Sequence, residues 1–141
     1  MMLTIEVTQD RDACFVLRHR VFVEEQGVPI EEEIDVMDEV ATHMLATLDS
    51  APSGTARVLF DGETAKIGRV CVLPQGRGTG MGVALIRKGI EIAQEQSGIT
   101  RVKLGAQVQA LGFYEKLGFE VCGPVYDDAG IDHRDMVLNL A

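Results

Sequence analysis

Four glycines at alternate positions, Gly76, Gly78, Gly80 and Gly82, follow the apolar run Val70-Cys71-Val72-Leu73-Pro74 and lead into a periodic apolar segment. Strand, glycine-rich turn and helix start, in that order, present unpaired backbone N–H groups to an anion, and the helix dipole adds to the attraction. Glycine clears side chains away, so a phosphate can approach the main chain closely. Four glycines also cost more backbone entropy than a simple turn requires. The backbone from Arg77 through Gly78, Thr79, Gly80 and Met81 to Gly82 is therefore the candidate cradle for a phosphorylated cofactor. Arg77 can add a charge-assisted contact.

Two familiar phosphate loops are excluded by the neighbouring residues. A triphosphate loop ends in Gly-Lys-Ser/Thr, whereas these glycines run into Met81-Gly82-Val83-Ala84. A dinucleotide fingerprint follows the first strand of a βαβ unit, and here the turn comes mid-chain with Glu95 at a helix end. Proton transfer has several candidates. His19, His43 and His133 carry imidazoles whose ordinary pKa near 6.5 suits a general base. Cys14, Cys71 and Cys122 are odd in number, widely spaced and set among apolar neighbours. They read as small buried hydrophobes, neither a disulfide framework nor a metal site.

The elements that position these groups follow from periodicity. Leu3 to Val7, His43 to Leu48, Thr55 to Phe60 and Ala65 to Leu73 read as strands, with Ser50 to Gly54 as a hairpin loop. A first helix spans Asp10 to Val23, capped by Asp10 or Asp12, and a second spans Thr79 to Gln96. Val102 to Ala106, a short helix over Ala110 to Leu117, and strands Phe119 to Cys122 and Met136 to Leu140 complete the chain. Tyr126 to His133 reads as a polar loop. This order predicts an α/β (α+β) mixed sheet with helices on both faces, in one domain over residues 1–141.

The net charge is −9 and no basic stripe appears, which argues against a nucleic-acid partner. No run is long enough to span a membrane, so the expected location is cytoplasmic. Acidic residues concentrate at Glu24-Glu25 and over Glu31 to Glu39, as a solvated loop or as a field that draws in a cationic small molecule.

Gln75-Gly76-Arg77-Gly78-Thr79-Gly80 resembles the Gln/Arg-x-x-Gly-x-Gly/Ala signature of the GCN5-related N-acetyltransferases. Ala110-Leu111-Gly112-Phe113-Tyr114-Glu115-Lys116-Leu117-Gly118-Phe119 is similar to the family's Ala-x-x-Phe-Tyr-x-Lys-x-Gly-Phe segment. Leu17 to Gln26 resembles the opening helix of the ElaA/YjcF-like subgroup. The resemblance implies a mainly antiparallel sheet with splayed central strands and acetyl-CoA as cosubstrate, without a metal. It implies that the main chain of Val70 and Val72 pairs with the pantetheine arm, that an N–H there faces the thioester oxygen, and that Tyr114 protonates the leaving thiolate. A phenol with an ordinary pKa near 10 suits that task.

The general base stays open among His43, His133, His19 and Glu25, with Glu33, Asp35 and Asp38 as further ammonium-binding or water-relay groups. Where the family commonly has Asn before the tyrosine helix, this chain has Gln107-Val108-Gln109. The expected reaction is acetyl transfer to a primary amine of a small molecule or peptide. A non-catalytic acyl-CoA-binding module and a small nucleotide binder are the alternatives. If the acidic cluster lines the amine site, the acceptor is cationic and carries no phosphate. A homodimer through the strands from Phe119 to Leu140 is expected.

Overall fold

Alternating apolar segments build an eight-stranded sheet in the computed structural model, which describes residues 2–140. The strands are β1 (Leu3–Thr8), β2 (Thr42–Leu48), β3 (Ala51–Asp61), β4 (Thr64–Val72), β5 (Arg101–Gln107), β6 (Glu120–Val121), β7 (Tyr126–Asp128) and β8 (Ile131–Asn139). They lie in the order β1-β2-β3-β4-β5-β8-β6, with β7 on β8. Only β4 and β5 are parallel. Helix α1 (Arg11–Arg18) covers one face, followed by the short α2 (Ile30–Glu33), while α3 (Met81–Glu95) covers the other; α4 (Leu111–Glu115) packs near β5 and β6. The mixed, mainly antiparallel sheet between helices agrees with the sequence reading.

Each face buries its own core. Met44, Val58, Ile67, Leu85, Ile86 and Met136 pack on the α3 side. Cys14, Leu17, Val21, Cys71 and Leu73 pack on the α1 side. Asp10 caps α1, its carboxylate accepting from the Ala13 N–H at 3.1 Å. The helix then widens into a π-helical stretch, His19–Glu25.

Strand β4 changes face midway. Thr55 lies opposite Cys71, yet Arg57 lies opposite Gly68, so β4 carries one residue more than β3. Arg69 sits in this bulge with φ 52°, a left-handed conformation rare for a long side chain. Ala65 and Ile67 before the bulge face α3, while Cys71 and Leu73 after it face α1.

Two hairpins differ from expectation. The turn between β2 and β3 is only Asp49-Ser50, with φ 49° and 71°, a two-residue turn whose twist matches the strands. Pro52 and Gly54 therefore fall inside β3, where a bulge at Ser53 accommodates them. The expected polar loop from Tyr126 to His133 is also a hairpin, turning at Ala129-Gly130 with φ 52° and 82°. Strand β8 consequently starts at Ile131 instead of Met136, and it lies inside the sheet between β5 and β6. The C-terminal segment is thus no simple sheet edge.

Candidate active site

The parallel pair β4–β5 holds for only three residue pairs, Thr64–Arg101, Ala65–Val102 and Lys66–Lys103. Beyond it β4 stays on β3 and β5 stays on β8, so the two strands part. The wedge leaves the inner main chain of both strands without a sheet partner, and a buried backbone group without one is costly unless something else pairs with it. A cleft of about 530 Å³ opens here, with Gly68, Val70 and Gly105 in its lining and Tyr114, Tyr126 and His133 around it.

A second depression of about 380 Å³ lies at the far end of β4, lined by Val72, the glycine loop, Val83 and Phe113. Gly78 and Gly80 adopt φ 76° and 87°, and a Cβ at either would meet no heavy atom within 4 Å. Their requirement is the left-handed backbone, not room against the protein. Gly76 differs, since a Cβ there would press on Val72 and Met81. The first backbone N–H groups of α3 have no intrahelical acceptor, because the ladder begins with Ala84 donating to Gly80 at 3.0 Å. Open glycines, free N–H groups and an unpaired strand leading away fit a pyrophosphate with an extended arm. Gly78→Ala should therefore lose stability by about 1 kcal/mol, and Gly80→Val should weaken coenzyme A binding sharply in calorimetry.

Tyr114 stands on α4 and lines the cleft, its ring edge-on to Phe113 at 5.0 Å and to Phe119 at 6.2 Å. Burial pushes its phenol above the ordinary 10.0, so it stays protonated at working pH. His133 lines the same cleft from β8. Its Nδ1 lies 2.8 Å from the Ile131 carbonyl, which can only accept. Nδ1 therefore carries the proton, and Nε2 of the neutral ring keeps a lone pair.

The structure does not bring the other candidates there. His43 is buried under α1, its Nε2 donating to the Asp38 carbonyl at 2.9 Å. Glu25 is exposed and paired with Arg77 at 2.7 Å, and this contact lowers its pKa. Arg77 also donates from Nε to the Val72 carbonyl at 3.1 Å, on the strand expected to meet the cofactor arm. His19 is half exposed beside Glu24. Burial pushes the Cys71 thiol up to about 12, which makes it a poor nucleophile. Gln107 donates to Gln26 at 3.2 Å, tying β5 to the helix that follows α1.

Within the acidic segment Glu33 and Asp38 are buried and Asp35 is ion-paired, while Glu31, Glu32 and Glu39 stay exposed. Arg18, 1% exposed, donates to Glu33 at 2.6 Å and to both oxygens of Asp38 at 2.7 and 3.0 Å. Arg57 donates to Asp35 and Asp38, each at 2.8 Å, and Arg69 reaches Asp35 at 3.3 Å. Three guanidiniums neutralise three carboxylates. The expected attraction of a cationic acceptor by Glu33, Asp35 and Asp38 therefore fails.

Residues missed in the sequence come from the second hairpin. Tyr126 stacks on His133 with ring centres 5.8 Å apart and donates its hydroxyl to Asp135 at 3.0 Å. Burial and that carboxylate push its phenol up to about 12. A Cβ at Gly105 would collide with the Tyr126 hydroxyl, so only glycine lets this ring lie over β5.

Residues 9–140 match the acetyltransferase (GNAT) domain family. N-acetyltransferase YjcF of Bacillus subtilis (strain 168) is 38% identical over 130 residues, covering 92% of this chain and 91% of that protein. The crystal structure of Escherichia coli ElaA superposes with a TM-score of 0.84 at 30% identity, covering 96% of this chain and 99% of that one. An acyl-CoA N-acyltransferase from Pseudomonas aeruginosa superposes at 0.83, also at 30% identity, with 96% and 97% covered. A glycine-rich loop with open N–H groups, a splayed strand pair and a tyrosine facing the wedge thus occur in a chain that belongs to the GNAT family and is an N-acetyltransferase.

Proposed function

We propose that this enzyme transfers an acetyl group from acetyl-CoA to a primary amine of a small molecule or peptide. The observation that carries this reading is the wedge, which joins the anion cradle at Arg77–Gly82 to the cleft at Tyr114 along unpaired main chain. Acetyl-CoA bound along it supplies an activated thioester. The Val70 N–H is the candidate donor to the thioester oxygen, fixed by the bulge before any charge develops. Tyr114 gives its proton to the sulfur that leaves. His133 takes the ammonium proton through Nε2, directly or by way of water. Tyr126 holds the His133 ring by stacking. The cytoplasm as location and a homodimer, visible in light scattering as twice the chain mass, belong to the same proposal.

Calorimetry with coenzyme A, followed by acetyl-CoA turnover over a panel of amines, tests the reading. Binding with thiol release and an acetylated product is expected. A chain that neither binds coenzyme A nor acetylates any amine overturns it.

A further inference from the structure

Lys66 and Lys103 are direct neighbours across β4 and β5, the last residues paired before the strands part. Register partners on one sheet point to the same face, about 5 Å apart at Cβ, where like charges destabilise each other. Both line the cleft. Among the described residues, neither has a carboxylate oxygen within 4.0 Å, while Arg18, Arg57 and Arg69 beside them are neutralised by Glu33, Asp35 and Asp38. The guanidinium of Arg57, 6% exposed, also lines this cleft and keeps a buried Nε without a partner. Positive charge is thus in excess at the vertex of the wedge.

The phosphates of the cofactor do not account for this excess. Six positions of β4 separate Lys66 from Val72 at the mouth of the glycine loop, about 20 Å of strand. An anion at the vertex must arrive with the other substrate. Carboxylates of Glu32, Asp128 and Asp135 line the same cleft, Asp135 two positions along β8 from the residue opposite Lys103, and an incoming ammonium would meet them there. Opposite charges lining one cleft recognise a molecule that carries both.

We infer that the acceptor is a small amino carboxylate, its carboxylate held by Lys66 and Lys103 with its amine directed to the wedge. This rests on the acetyl-transfer reading above and reverses the expectation of a purely cationic acceptor. The expectation of a phosphate-free acceptor rested on the same acidic field and loses its support with it.

The test pairs amino acids with their decarboxylated amines as acceptors, using the full chain and acetyl-CoA. The amino acid of the best pair should exceed its amine in kcat/KM by about tenfold or more, the worth of a charge-assisted hydrogen bond. K66M/K103M should erase that preference through KM, K66R/K103R should keep it, and both should still bind coenzyme A in calorimetry. Equal or better use of the decarboxylated amines, acetylation of peptides alone, or a preference that survives K66M/K103M overturns the inference. Loss of coenzyme A binding by the unmodified chain would instead sink the acetyl-transfer reading beneath it.

Discussion

Tyr114→Phe should lower kcat by about a hundredfold while coenzyme A affinity holds, because only the proton donor to the leaving sulfur is lost. The phenyl ring keeps the edge-on contacts with Phe113 and Phe119, so the fold and the cleft wall survive. Burial holds the Tyr114 phenol above 10.0, so its ionisation should not cut the rate at neutral or mildly alkaline pH. Single-turnover kinetics with acetyl-CoA would separate the chemical step from binding. A rate unchanged in the phenylalanine variant would assign the proton to water. Equal loss of rate and of cofactor affinity would make Tyr114 a wall of the binding site instead.

The second large effect is on stability. Asp38→Asn should destabilise the fold by about 3–5 kcal/mol, since removing one partner of a buried ion cluster leaves the others uncompensated. Asp38 is 2% exposed and faces both Arg18 and Arg57. Burial by itself would raise its pKa, but hydrogen bonds from Arg18, the Asp35 N–H and Arg57 outweigh that and hold it well below the usual carboxylate range. Hydrogen bonds from Arg57 hold Asp35 low as well. A depressed folded-state pKa contributes stability that is present above the unfolded value near 4 and is lost as pH falls toward the folded one. Denaturant midpoints of the parent chain should therefore fall steeply below about pH 4. The Asp38→Asn variant should start lower and show a shallower acid dependence. A midpoint close to the parent's at pH 7 would mean that the cluster is replaceable polar packing.

What the sequence disclosed was what short spacing can carry. The glycine loop and the segment around Tyr114 are local, so their chemistry shows in consecutive residues. The buried ion cluster is not local. Arg18 reaches Glu33 across 15 positions, and Arg69 reaches the Glu33 carbonyl across 36. Read alone, Glu31 to Glu39 looks like a hydrated acidic loop, because the cations that claim it lie on three other elements. The hairpin of β7 and β8 escaped for a different reason. Tyr126, Asp127 and Asp128 are all exposed, so no apolar alternation marks them as a strand. His133 could be named as a base from its type, but its partner Tyr126 could not.

The extra residue at Arg69 acts on β4 as a frameshift acts on a message. Upstream of it, odd-numbered side chains read toward α3, and downstream the same parity reads toward α1. Were β4 to run straight with Arg69 paired in the ladder, the alternation would turn Cys71 and Leu73 out of their core, with Val70 and Val72 replacing them. The glycine loop would then begin from the wrong side of the sheet. Which wall each side chain after Arg69 meets is thus set by a single residue that the ladder with β3 does not count.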